Sequence, residues 1–170
     1  MRETFECEVF VRDTVAAQVL DAYWRLERWP EVAPHVVAID LIYGDESAQV
    51  LIMTVSTRGH IDSFKSVRVK ERNIIRYIQP QPPRILQHHH GSWTFETVAG
   101  GTRVVSRHAI EVDVPTAGRV LREQQHMDIT SDEAVRAAIA SLIRNNSLQT
   151  MNALRLRLEH GVSYATASRL

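Results

Sequence analysis

From His35 to Asp113 the chain keeps a period of two, and short turns interrupt it at near-regular intervals. Alternating runs fall at about 35–43, 47–57, 60–70, 73–79, 86–98 and 102–113. That period is the signature of a strand with two distinct faces. The breaks carry turn chemistry: Gly44-Asp45, Arg58-Gly59, Glu71-Arg72-Asn73, Pro80 with Pro82-Pro83, and Gly100-Gly101. Connections this short cannot hold a parallel crossover, so these strands form an antiparallel meander. A further strand over residues 4–11 sets Phe5, Cys7, Val9 and Val11 against Thr4, Glu6, Glu8 and Phe10.

Helical spacing brackets the meander. Val15, Val19, Ala22, Tyr23 and Leu26 predict an amphipathic helix, with Asp13 or Thr14 as its N-cap. Trp29-Pro30 ends it, since proline pushes the preceding residue out of the helical region, and a short second helical turn follows. Residues 114–129 read as an extended polar loop. Thr130-Ser131-Asp132-Glu133 then offers a capping box with Thr130 as cap. Ile139, Leu142, Ile143, Met151, Leu154 and Leu158 predict a long helix, stopped by Gly161 at a C-cap. Its middle is polar at Asn146, Ser147 and Thr150, where the stripe should stay apolar. Residues 1–161 are expected to form one α+β domain: a curved seven-stranded antiparallel sheet around the last helix, with a space between them. Residues 162–170 read as a frayed tail.

Charge and composition exclude several classes. Lys plus Arg equals Asp plus Glu, so the basic footprint of a nucleic-acid binder is missing. There is no apolar run of membrane-span length and no signal-peptide core at the N-terminus, so the expected location is the cytoplasm. The one cysteine, Cys7, cannot close an internal disulfide. His88-His89-His90 puts two histidines on one strand face and His89 on the other. Without HExxH, CxxC or a nearby cysteine, this reads as a solvated pair, or as a pocket-facing His89, and no functional metal is expected. GxGxxG, P-loop and GxSxG motifs are also missing, so no nucleotide cofactor is inferred.

One run resists the simple pattern. In HIDSFKSVRV, residues 60–69, neither parity is cleanly apolar. On residue type alone, Arg68 belongs on an outer, solvated face rather than in an interior.

Four stretches carry a family resemblance. RLERWPEVAPHV resembles the segment after the first helix in polyketide aromatase/cyclases and in coenzyme Q-binding relatives. SWTFETVAGGTRV, residues 92–104, resembles the penultimate hairpin of the single-domain cyclases of the tetracenomycin type. HMD at 126–128 and NSLQTMNALRLRLEHG resemble their lid loop and C-terminal helix. These cyclases belong to the START/Bet v 1-like superfamily, so the resemblance implies a helix-grip fold with an internal cavity.

The resemblance also implies roles. In the cyclases the fourth strand sends an aromatic, a serine and an arginine into the cavity, a pattern matched by Phe64, Ser66 and Arg68. The sequence departs from the family at Asp62, where an aromatic is expected, at Val36 in place of a tyrosine, and at His108 in place of a glutamine. Ring closure of a poly-β-ketone needs a base, a positioned carbonyl and a donor for the developing oxyanion. The implied catalytic set is Arg68 as donor, Ser66 holding an oxygen or a water, His108 as proton carrier, and Asp62 as orienting group or base. Trp29, Phe64, Trp93, Phe95, His89 and Asn146 are the expected substrate contacts. If Gly100-Gly101 is a two-residue turn, Trp93 pairs with His108 and Phe95 with Ser106, and all four share the inner face. The resemblance implies no cofactor, a polyketide substrate and an acyl carrier protein as partner. A non-catalytic carrier of a lipid or quinone is the alternative on the same fold, and a dehydratase or hydrolase of a related tethered intermediate is a third possibility.

Overall fold

The computed structural model describes residues 1–57, 60–125 and 129–160. The expected HMD lid, the Arg58-Gly59 turn, the Gly161 cap and the tail lie outside the described residues. In chain order the elements are β1 (Arg2–Arg12), α1 (Ala16–Trp24), a 3-10 turn (Leu26–Arg28), α2 (Trp29–Val32), β2 (Val36–Gly44), β3 (Ala48–Thr57), β4 (His60–Glu71), β5 (Ile74–Gln81), β6 (Leu86–Val98), β7 (Gly101–Val112), α3 (Val114–Gln125) and α4 (Asp132–Glu159).

The meander is present. Each of β2 to β7 pairs antiparallel with its chain neighbour, and β1 closes the order on β7, giving β1-β7-β6-β5-β4-β3-β2. The inner face packs against α4. Phe5, Val9 and Val11 of β1, Leu51 of β3, Ile75 of β5 and Val104 of β7 join Val135, Ile139, Met151 and Leu154 of α4 in one core. Burying such apolar side chains contributes roughly 1.5–3 kcal/mol each before entropy is counted.

Four local expectations are corrected. Residues 114–125 form α3 rather than an extended loop. The side chain of Asp113 accepts from Thr116 N at 3.0 Å and caps the helix, while Ala117 and Leu121 are fully buried. Only a narrow stripe is apolar, so the polar majority hides the helical period. The N-cap of α4 is Ser131, not Thr130: its hydroxyl accepts from Ala134 N at 3.1 Å. Neither Asp13 nor Thr14 caps α1. Its N-cap is Val15, whose N–H donates to the Gln18 side chain at 3.2 Å, while Thr14 Oγ1 donates to Val11 O. Trp29 is helical, with φ −62° and ψ −37°, despite the proline after it. Its buried ring packs edge-on against Tyr23 and Trp93, and that packing outweighs the steric bias.

The β6–β7 register is shifted by two residues from expectation. Trp93 faces Ser106, Phe95 faces Val104, and His108 faces Gly91. Val98 pairs with Gly101, so the turn residues are Ala99 and Gly100, and Gly100 takes the left-handed φ of +80°. A shift of two preserves parity, and His108, Ser106 and Trp93 still face inward.

Candidate active site

Between the sheet and α4 lies a cavity of about 210 Å³. Its mostly apolar wall includes Leu51, Met53 and Val55 of β3 and Leu142 and Ile143 of α4. One cross-strand row supplies much of its polar chemistry. Gln49, Arg68, Tyr77, Gly91, His108 and Phe5 sit opposite one another in succession across β3, β4, β5, β6, β7 and β1. Arg68 and His108 are three strand spacings apart, about 14 Å along the backbone of a flat sheet.

At the Arg68 end, the residue is 2% exposed. Its Nη1 donates to Gln49 Oε1 at 3.2 Å and its Nη2 to Tyr23 O at 2.5 Å. Trp24, Trp29 and Trp93 surround it, with ring centroids 5.2, 5.5 and 5.6 Å away. No ion pair among the described residues includes Arg68, and its Nε is buried without a partner. Burial lowers its pKa to about 9, which leaves it cationic at neutral pH. A cation held by neutral carbonyls and ring faces is poorly compensated and attracts an anion.

At the other end His108 is the hub of a buried network. Tyr77 Oη lies 2.8 Å from its Nδ1, and His89 Nε2 lies 3.1 Å from the same atom. Ser106 Oγ and Ser147 Oγ approach its Nε2 at 2.9 and 3.0 Å. The Phe5 ring stacks on the imidazole at 4.8 Å. Burial, then the Arg144 charge, lowers the His108 pKa to about 4. Burial first, then His108 and His90, lowers that of His89 to about 3. Both imidazoles are neutral at pH 7, so His108 is available as a base rather than as an acid.

The other expected residues divide. Ser66 is buried on the wall beside Phe64, and Trp29, Trp93, His89 and Asn146 also line the cavity. Asp62 lines it half-buried, with its Oδ1 accepting from Ser63 N at 2.9 Å. Among the described residues His108 is partnered by Tyr77, His89, Ser106 and Ser147, so the structure does not join Asp62 and His108 in a dyad. Phe95 is fully buried, packs edge-on against Tyr23 at 5.1 Å, and is not among the residues that line the cavity. His88 is exposed near Glu111, and the described residues hold no His/Cys/Asp/Glu cluster suited to a metal.

The profile of the polyketide cyclase/dehydrase and lipid transport family matches residues 15–130. The chain belongs to that family. It is 33% identical over 137 residues to the granaticin polyketide synthase bifunctional cyclase/dehydratase of Streptomyces violaceoruber, covering 77% of this chain and 41% of that protein. It is 34% identical over 117 residues to the actinorhodin counterpart of Streptomyces coelicolor, covering 59% and 35% respectively. The chain thus matches less than half the length of these relatives. An aromatase/cyclase from Streptomyces sp. R1128 shares the fold, with TM-score 0.81, 20% identity, and coverage of 97% of this chain and 98% of that one. The di-domain aromatase/cyclase of the BE-7585A pathway superposes with TM-score 0.80 at 26% identity, over 93% of this chain and 50% of that one. These likenesses bear out the helix-grip fold and the family resemblance.

Reasoning from sequence missed Tyr77, Gln79 and Gln49. In β5 both parities carry isoleucine, so Ile75, Tyr77 and Gln79 do not stand out from Ile74, Arg76 and Ile78. The available signal was Gly91. Glycine inside a strand marks a close approach, and a Cβ there would lie 2.6 Å from Tyr77 Oη and clash with Arg107 O.

Proposed function

We propose that residues 1–161 act as one polyketide cyclase/dehydratase unit, closing a ring in a carrier-tethered poly-β-ketone by aldol addition and loss of water. The observation that carries this reading is Arg68: a buried cation, facing a largely apolar cavity, with no carboxylate partner among the described residues. A developing enolate or alkoxide oxygen supplies the missing negative charge, and a preorganised donor stabilises it without reorganising water.

His108 Nε2 removes a proton from a methylene between two carbonyls. The resulting carbanion attacks a second carbonyl carbon, and a C–C bond forms as the C=O π pair moves onto oxygen. Arg68 holds that oxygen, which then takes up a proton. Loss of a second methylene proton and departure of the hydroxyl as water leave a C=C bond, and enolisation completes the aromatic ring. Ser66 holds a substrate oxygen or a water, and Asp62 acts near the cavity wall as orienting group or second base. Trp29, Phe64, Trp93, His89 and Asn146 shape the folded chain. The tether is held by an acyl carrier protein, and the reaction belongs in the cytoplasm.

A lipid carrier is the second reading, favoured by the family's own description and by the Leu51–Met53–Val55 wall. Product analysis by liquid chromatography and mass spectrometry separates the two. A minimal polyketide synthase with its carrier protein is run with wild-type chain, with Arg68→Met, and without either. One cyclised, dehydrated product with wild type alone supports the cyclase. Unchanged shunt products with folded wild type, or wild-type product from folded Arg68→Met, overturn it.

A further inference from the structure

The buried groups behind His108 form a directed hydrogen-bond chain. Gln79 Oε1 lies 2.9 Å from His89 Nδ1. An amide oxygen only accepts, so His89 Nδ1 carries the proton and, in the neutral ring, Nε2 is bare. That bare Nε2 is 3.2 Å from Tyr77 Oη and 3.1 Å from His108 Nδ1. Were His108 Nδ1 bare as well, two lone pairs would face each other with one tyrosine proton between them. With a proton on His108 Nδ1, every group is satisfied. His108 Nδ1–H donates to Tyr77 Oη, Tyr77 O–H donates to His89 Nε2, and His89 Nδ1–H donates to Gln79 Oε1. His108 Nε2 is then left bare, accepting from the buried Ser106 and from Ser147, which lines the cavity.

A second observation points the same way. Gly91 sits between Tyr77 and His108 in the cross-strand row. Its missing Cβ leaves the space that the Tyr77 hydroxyl occupies, since a Cβ would come within 2.6 Å of that oxygen. The sheet is therefore built to let a β5 hydroxyl reach across β6 to a β7 imidazole.

We propose that Gln79 and His89 are positioning residues that fix His108 in its Nδ1–H tautomer, so that Nε2, the nitrogen facing the two serines, is the base. Tyr77 relays this polarity without setting it. If Tyr77 is replaced by phenylalanine, His108 Nδ1–H still finds His89 Nε2 as acceptor. If His89 is replaced by leucine, Tyr77 O–H turns to His108 Nδ1 and drives the proton to Nε2. Replacing Gln79 by leucine frees His89 to carry its proton on Nε2, with the same result at His108.

This inference rests on the reading of His108 as the base, but its test does not depend on turnover. Histidine-selective 15N labelling and long-range 1H–15N correlation spectra at neutral pH report which ring nitrogen is protonated, with His108 assigned through its loss in His108→Gln. The expected result is a protonated Nδ1 and bare Nε2 in wild type and Tyr77→Phe, inverted in His89→Leu and Gln79→Leu. A wild-type His108 protonated on Nε2 overturns the proposal without any variant, and so does an unchanged His108 pattern in folded His89→Leu. The predicted tautomers without any cyclised product would keep the positioning role and reject the cyclase. In the converse case, product formation with the opposite tautomer would keep the cyclase and reject the positioning role.

Discussion

The two ends of the polar row solve the same problem differently. Arg68 is a charge that remains buried: two neutral acceptors and three indole faces hold it, and its pKa stays near 9. His108 and His89 give up their charge, and a closed set of neutral hydrogen bonds satisfies them. Burial acts on both ends; the difference lies in the intrinsic pKa. Guanidinium starts so high that even a large depression leaves it charged at pH 7, whereas imidazole starts near neutrality and is driven neutral. The same desolvation thus leaves a charged guanidinium at one end and a neutral imidazole at the other.

The largest expected effect is at the charged end. Arg68→Met removes the donor and should lower product formation by about 10²–10³-fold. Circular dichroism should show an intact fold, because removing an uncompensated buried charge relieves desolvation. Loss of the fold would mean that Arg68 is chiefly a structural strut, and the comparison would fail.

Gly91→Ala tests the neutral end by sterics. The added methyl meets Arg107 O and the Tyr77 hydroxyl, so it should cost about 2–3 kcal/mol by urea unfolding. The Arg68 surroundings at Trp24 and Trp29 should be spared, which the fluorescence of a Trp93→Phe background would report, since Trp93 itself lies 4.7 Å from the Tyr77 ring.

Acid should separate the ends without mutation. The folded pKa values of His108 and His89 lie below that of free histidine, so the unfolded chain binds protons first as pH falls. The neutral pair's contribution is complete above about pH 6.5 and is lost as pH falls toward about 4 and about 3. Between pH 7 and pH 5 His108 should account for on the order of 2 kcal/mol of lost stability. Urea midpoints of His108→Gln should be flatter over that window, while Arg68 stays protonated throughout. Equal slopes for the two proteins would contradict a buried neutral His108.

The smallest effect is a control remote from both ends. Ser131→Ala removes the α4 cap and should cost about 1 kcal/mol, with product distribution unchanged.

Much of the site was legible because strands alternate. Once residues 60–71 are one strand, Asp62, Phe64, Ser66 and Arg68 share a face, and family likeness then chose which face turns inward. His108 survived a register misjudged by two residues for the same reason. Phe95 shows the limit of parity: it faces inward with Trp93, yet Tyr23 of α1 covers it, and the cavity begins one inward-facing position away. Helix α3 was missed because few of its side chains are apolar, and its cap at Asp113 acts through one hydrogen bond.

The sequence by itself determined the strand and helix periods, the order of the strands, which residues of each strand share a face, and the residue types able to hold an oxyanion or move a proton. Periodicity is local and needs only a few neighbouring residues. Tertiary structure alone decided that Tyr77, Gly91 and His108 share a row with Arg68, that Gln79 terminates the histidine chain, and that Asp62 does not pair with His108. Those facts depend on the registers of separate strand pairs, and on desolvation by α4, which comes from the far end of the chain.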